Sequence, residues 1–294
     1  MSARTVVVTG ASGLLGRPLV AYLARRGWAV RALVRDAAAF RDPPPGVTVA
    51  RCDLPEVLDE SALPGAGALV HLAWATRETR LGRARRVNEE GTHRVLEASR
   101  RAGIPRFVFV STVAAHPDAP NYYARSKYAL EGLCDPARDL IVRPGQILAR
   151  EGQGLFQQMR DSIRRTHVAP IFGGGVQPLQ TVHVDDLCEA MARALERGLT
   201  GALNVAEPDP VTLGEFLRML AGRLGVRCVL VRLPFGPMLA VLRVIEALGL
   251  PFPLRAESLL AVKGLRRVAV AEDLRRLGIT ARSAAESLAD LIGA

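Results

Sequence analysis

The chain is poor in aromatic residues, almost without lysine, and without any long apolar run. Aromatics make up 5% of its 294 residues. That is too few for a platform that stacks single-stranded nucleic acid. No stretch of about 18 uninterrupted apolar residues occurs, so no membrane-spanning helix is expected. No cleavable leader is recognisable, because the chain runs from Met1 almost directly into an apolar strand-like segment. A cytoplasmic location is the expectation that follows. The four cysteines, Cys52, Cys134, Cys188 and Cys228, stand far apart and form no C-x-x-C. Zinc binding and dithiol redox chemistry are therefore not suggested, and free thiols are expected.

Only Lys127 and Lys263 are lysines among 39 basic residues, which face 29 acidic ones for a net charge of +10. The arginines are scattered or in short pairs rather than in one stripe, so no nucleic-acid partner is expected. An anionic small ligand, such as a phosphorylated cofactor, accounts for part of the positive balance. Hydrophobic residues at 49% and charged residues at 23% mark a globular chain. Its length suits one large domain, or one domain with a lobe.

Strand and helix signals alternate through the first half. Thr5 to Val8, Trp28 to Val34, Val47 to Arg51, Ala68 to His71, Phe107 to Val110 and Leu140 to Arg143 read as short apolar strands. Leu14 to Arg26 and Val87 to Ala102 carry helical apolar spacing between them. Such a pattern predicts an α/β fold with a doubly wound parallel sheet covered on both faces. The expected division is a dinucleotide-binding core over 1–150 and a small C-terminal substrate-binding lobe over 151–294, with 180–206 returning to the core. In the second half, Gly152 to Pro178 reads as loop-rich lining around a short helix. Asp185 to Arg197 reads as a helix and Val226 to Arg232 as a strand. Thr212 with Glu215 three residues later matches a capping box.

Gly10-Ala11-Ser12-Gly13-Leu14-Leu15-Gly16 follows the first strand directly and opens the first helix. Glycines at this spacing allow a tight turn and close approach of the backbone to a pyrophosphate, with the helix N-terminus facing its charge. Gly10, Ser12, Gly13, Leu14, Leu15 and Gly16 are thus candidate cofactor residues. An NAD site usually has a carboxylate at the end of the second strand. Here Val34 occupies that place and Arg35 follows, a residue suited to grip a 2′-phosphate. NADP(H) is favoured over NAD(H), with Asp36 as ribose contact the competing reading. Asp53 and Leu54, after the third strand, are candidates for the adenine, with a plain turn as the alternative for Asp53.

Tyr123 and Lys127 are four residues apart, which puts them on one face of a helix. A lysine beside a phenol favours the phenolate and lowers the phenol pKa toward the range of a working acid or base. The same lysine can donate to a cofactor ribose.

Together these segments resemble the short-chain dehydrogenase/reductase superfamily, in its extended and atypical branch, which includes the NAD(P)-dependent epimerase/dehydratase family. The resemblance rests on Thr9 to Gly16, His71-Leu72-Ala73, Asn88 to Thr92, Tyr123 to Lys127, Arg143-Pro144-Gly145, and Val182 to Leu187. It implies Tyr123 as catalytic acid/base, Lys127 as its partner, and a hydroxyl after the fifth strand, with Thr112 the aligned residue and Ser111 the fallback. It also implies cofactor contacts at Leu72, Ala73, Tyr123, Lys127, Pro144 and Gly145. In this context His183 and Asp185-Asp186 hold a helix start, and no metal is expected.

Two departures narrow the substrate. Leu179 stands where nucleotide-sugar enzymes of that branch carry an arginine, and Gln146 where they tend to carry asparagine. A diphosphate substrate would lack its charged partners there. Phe156, Met159, Phe172 and the apolar stretch from Leu233 to Leu254 are expected to line or cover a pocket for an apolar or mixed small molecule. Contact of that stretch with a membrane surface is the less favoured reading. The expected function is an NADPH-dependent oxidoreductase acting on a carbonyl or alcohol. The alternatives are an epimerase or dehydratase using the same residues, and a non-catalytic NADPH-binding regulatory protein. A homodimer is the assembly that the resemblance allows.

Overall fold

Short apolar runs, most of them largely buried, build the central sheet in a computed structural model that describes residues 4–40, 42–76, 78, 81–152, 154–250 and 254–293. The chain begins β1 (Thr5–Thr9), α1 (Gly16–Arg25), β2 (Ala29–Val34), β3 (Val47–Asp53), β4 (Val57–Leu58) and β5 (Ala68–His71). It continues with α2 (Leu81–Arg85), α3 (Gly91–Arg101), β6 (Phe107–Val110), α4 (Tyr122–Glu131), β7 (Leu140–Pro144), β8 (Gln146–Leu148), α5 (Leu155–Thr166) and β9 (Val168–Phe172). Next come β10 (Pro178–Leu179), β11 (Thr181–His183), α6 (Val184–Glu196), β12 (Gly201–Val205), β13 (Val211–Thr212), α7 (Leu213–Arg223) and β14 (Val229–Leu233). The helices α8 (Phe235–Ala247), α9 (Ala256–Lys263), α10 (Ala271–Leu277) and α11 (Ala284–Ile292) close the order.

Eight strands form the main sheet in the order β12-β7-β6-β5-β1-β2-β3-β4. β1 pairs in parallel with both β2 and β5, while β2–β3, β5–β6 and β6–β7 are also parallel. The short β4 is antiparallel to its neighbour β3, and in a separate two-stranded sheet β10 is antiparallel to β13. The strand order reverses at β1, so the carboxyl ends of β1 and β5 open the crevice where sheets of this kind take ligands. The expected doubly wound architecture is therefore present.

The chain divides into two compact units. The first comprises Met1–Ser111, Ala129–Arg143 and Val184–Leu203. Val7, Leu33, Leu69, Val95, Phe107 and Phe109 pack together at its centre. Asp139, fully buried, is a polar tie there: it accepts from the Phe107 amide at 3.1 Å, from the Asp135 amide at 2.9 Å, and from both Nη atoms of Arg100. Every lone pair that burial takes from water is thereby matched to a donor.

The second unit comprises Thr112–Tyr128, Pro144–His183 and Asn204–Ala294. Its core gathers Leu148, Phe156, Phe216, Leu220 and Leu288, with Phe156 and Phe216 edge to face at 6.5 Å. The Thr212–Glu215 capping box is formed as expected, and Ser283–Glu286 makes a second one at α11. A smaller cluster of Phe172, Leu242, Ala256 and Leu259 fastens α8 and α9.

The second half differs from its sequence reading in three ways. The segment read as loop-rich holds the twelve-residue α5 and the strand β9. Phe156 and Phe172 are closed into cores and do not line an open pocket, while the half-buried Met159 packs against one of those cores. The apolar stretch from Leu233 forms α8, of which only Leu242 is buried; residues 251–253 lie outside the described residues. All four cysteines are free, and burial pushes the Cys52 and Cys134 thiols up to about 12.

Candidate active site

The glycine loop is shaped by close backbone contacts rather than by side chains. Gly10 has φ +65°, and a Cβ there would lie 2.7 Å from the Ala73 nitrogen. A Cβ on Gly16 would lie 2.2 Å from the Gly10 carbonyl oxygen. Both positions therefore exclude any side chain. The loop delivers the chain into α1, whose N-terminus has no side-chain cap and no acid in its first turn. Gly13 donates to Gly10 O at 2.9 Å and Arg17 to Gly13 O at 3.2 Å. Among the described residues, nothing accepts from the amides of Ser12, Leu14 and Leu15. Unpaired amides on a glycine turn at a helix start are the donor set that a pyrophosphate needs, so this loop fits a dinucleotide cofactor.

Around the loop, Leu72 and Ala73 donate their amides to Thr9 Oγ1 at 3.2 and 3.3 Å. Thr9 Oγ1 is 2.8 Å from His71 Nδ1, and His71 Nε2 is 3.0 Å from Thr92 Oγ1. Asn88 Oδ1 accepts from the Ala75 amide at 2.7 Å. This buried network pins the segment after β5 against the glycine loop. Thr9, His71, Asn88 and Thr92 were visible in sequence only as parts of a family pattern. Their positioning role needs contacts across 62 and 21 positions.

At the end of β2, Val34 is buried and Arg35 is exposed. Asp36 Oδ1 accepts from the Ala38 amide at 2.9 Å, which ties that carboxylate to its own turn. Asp53 is exposed at the end of β3. Leu54 is 5% exposed and packs in the core of the first unit.

Ser111 belongs to the first unit and is 2% exposed. Its amide donates to Val142 O at 2.7 Å, while its hydroxyl is buried without a hydrogen-bond partner. A buried hydroxyl left unpaired costs about 1–3 kcal/mol, and such atoms are commonly satisfied by a ligand. Thr112 opens a segment of the second unit, and its Oγ1 accepts from the Ala114 amide at 3.2 Å. Its hydroxyl proton remains available for donation.

Tyr123 and Lys127 both lie on α4, as their spacing predicted, and Lys127 is 3% exposed. Burial pushes the Tyr123 phenol up to about 12. That direction corrects the expectation of a lowered value: in this chain alone, losing the water that would stabilise a phenolate dominates. The start of α4 is held by a residue that sequence reading missed. Glu257 Oε2, on α9, accepts the Tyr122 amide at 2.7 Å. A lone glutamate 135 positions away gives no local signal. Pro144 accepts the Val113 amide at 3.0 Å through its carbonyl, and a Cβ on Gly145 would lie 2.5 Å from Gln180 O. Backbone crowding is thus a sufficient reason for Gly145. His183 pairs with Asp290 at 3.0 Å.

Comparison with known proteins extends this picture. The model of the NAD dependent epimerase/dehydratase family matches residues 6–206. The chain is 34% identical over 240 residues to a ceramide reductase of Caulobacter vibrioides (strain NA1000 / CB15N), covering 78% of this chain and 73% of that protein. It is 32% identical over 258 residues to 4-hydroxy-2-methyl-3-oxo-4-farnesyl-3,4-dihydroquinoline-1-oxide ketoreductase of Stigmatella aurantiaca, covering 78% of this chain and 75% of that one. Among solved structures, gox2253 superposes with TM-score 0.76 at 25% identity, over 98% of this chain and 97% of that one.

Proposed function

The chain belongs to the NAD-dependent epimerase/dehydratase family, an NAD(P)-dependent enzyme family, and from that premise we propose that it reduces a ketone with NADPH. The observation that carries this reading is Tyr123 on one helix with the buried Lys127, a phenol and an ammonium at the spacing of an acid and its partner. Burial holds the Tyr123 phenol protonated across the neutral range, the form a reductase needs as proton donor. Bound NADPH supplies the hydride. Tyr123 gives its phenolic proton to the carbonyl oxygen as negative charge develops there. Lys127 then offsets the phenolate left behind and donates to the cofactor ribose. The hydroxyl of Thr112 or Ser111 donates to the same substrate oxygen and fixes its position.

NADPH is chosen on the end of β2. Arg35 is exposed there, and the neighbouring Asp36 is occupied by the Ala38 amide. A guanidinium fits a 2′-phosphate, whereas a ribose diol calls for a carboxylate. The substrate class follows from the relatives' printed names, a ceramide reductase and a ketoreductase of a farnesyl-bearing ring, and from the missing arginine at Leu179. The substrate is therefore a ketone on a largely apolar molecule rather than a sugar nucleotide.

The test is turnover of long-chain and ring ketones with NADPH and NADH side by side. Tyr123→Phe should lower kcat about a hundred- to ten-thousand-fold. Arg35→Ala should weaken NADPH by about 1.5–3 kcal/mol, the worth of a charged hydrogen bond, and leave NADH unchanged. Reduction should stay level from neutral to mildly alkaline pH, because the phenol remains protonated. Oxidation of the alcohol, which needs the phenolate, should rise with pH over the same range. An isomerised product without net NADPH consumption would replace this reading with an epimerase.

A further inference from the structure

One surface of the second unit is used by none of the chemistry above. α8 is thirteen residues long and has apolar residues on both sides. Its inner side carries Leu242, fully buried against Phe172 and Leu259. On its outer side Pro237, Val241, Val244 and Leu248 recur at i, i+4, i+7 and i+11, within an arc of about 60° on an α-helix. Val241 is 51% exposed, Val244 58% and Leu248 67%, and Leu250 in the following turn is 55% exposed. Val241, Val244 and Leu248 thus leave an apolar stripe in water, and this stripe calls for an occupant.

We infer that the outer face of α8 docks on an anionic lipid surface. Charge complementarity supports this occupant. Residues 226–270 contain seven Arg or Lys, every one exposed, and only two acids, Glu246 and Glu257. Arg243 is exposed on α8 itself, about 100° round the helix from Val244, and neither it nor Arg232 has an ion-pair partner among the described residues. Basic residues beside an apolar helix face are what anionic headgroups attract. Length supports it too. Thirteen residues of helix span about 20 Å, short of the roughly 30 Å of hydrocarbon, and no described helix is long and apolar enough to cross. α8 therefore lies in the interface plane. A second copy of the chain is a poorer occupant: a stripe about 20 Å by 10 Å offers about 200 Å², against about 800 Å² per partner in a stable pair.

The docked helix is tied to the catalytic one. Glu246 Oε1 on α8 accepts the first amide of α9, from Ala256, at 3.0 Å, and Glu257 on α9 accepts the Tyr122 amide of α4. Docking of α8 would thus be coupled, through these two hydrogen bonds, to the helix that carries Tyr123. This last step rests on the reductase reading; the docking does not.

The test is co-sedimentation of the full chain, without cofactor, with vesicles of phosphatidylcholine alone or mixed with phosphatidylglycerol. Binding to the mixed vesicles is expected, weaker by about tenfold or more on phosphatidylcholine alone, and falling with salt. The double substitution Val241→Asp, Val244→Asp should abolish it, and Arg243→Glu should reduce it. Val176→Asp, at an apolar residue 69% exposed elsewhere, should leave it unchanged. NADPH-induced thermal stabilisation should be the same in all of them, which separates failure of docking from failure of the cofactor reading. Absence of binding to the mixed vesicles, or equal loss in Val176→Asp, would overturn the inference. So would a dimer that the double substitution converts to monomer without any vesicle binding, since the face would then belong to a second copy.

Discussion

α6 and α8 are both thirteen residues long and both rich in apolar side chains, yet they meet opposite fates. α6 buries nine of its residues, among them Leu187, Cys188, Met191 and Leu195. α8 buries one, Leu242. The charges explain the contrast better than the apolar residues do. α6 carries Asp185 and Asp186 in its first turn and Arg193 in its last, matching its dipole, and Asp185, Glu189, Arg193 and Glu196, none of them buried, mark one polar side. α8 has neither an acid in its first turn nor a base in its last, and its two charged residues, Arg243 and Glu246, stand away from the outer stripe. Hydrophobicity states that a face must be covered, but it does not state by what.

The largest expected effect tests whether that contrast is one of integration. Leu187→Ala should cost about 2–5 kcal/mol and lower the main calorimetric transition, because Leu187 is fully buried in the first unit. Leu242 is equally buried, but it anchors a helix with little else in the core. Leu242→Ala should therefore act locally. Protease sensitivity within α8 should appear with less than half the loss in Tm seen for Leu187→Ala. Equal losses in the two variants would mean that the helices are equally built in, and the comparison would fail.

A smaller effect is expected where α8 connects to the reaction. Glu257 caps α4 from α9. Glu257→Ala should lower kcat about fivefold, in line with about 1 kcal/mol for a lost cap, with little change in NADPH affinity. Glu257→Gln keeps an acceptor oxygen and should restore most of the rate. A loss of Tm without a change in kcat would leave Glu257 as a purely structural cap.

Legibility followed the range of the contacts. The glycine loop and the Tyr123–Lys127 pair span a few residues each, and spacing alone placed them on a helix start and on one helix. The capping box at Thr212 was legible for the same reason. Arg100 and Asp139 are 39 positions apart, and Glu257 is 135 from Tyr122. No local pattern announces such partners. Spacing points to a Tyr123 phenol acidified by Lys127, whereas burial, which sequence does not show, pushes it the other way. In sequence Phe156 and Phe172 point to a pocket because an aromatic side chain looks the same there in a core as in a wall. α8 was read as a pocket cover, since its apolar content called for a covering and only the fold shows which side lacks one.

The smallest expected effect is the sharpest for α8. Val244→Asp places a charge at a residue 58% exposed. If the outer face meets only water in the isolated protein, stability should change by no more than about 0.5 kcal/mol, the usual range for surface substitutions. The same aspartate would repel anionic headgroups, so vesicle binding should fall while the calorimetric transition stays in place. A burden of several kcal/mol would carry the opposite meaning. A carboxylate costs that much only where it loses its water, and the face would then already be covered in solution. The contrast between α6 and α8 would become one of partner rather than of exposure, with α6 packed by its own chain and α8 by another.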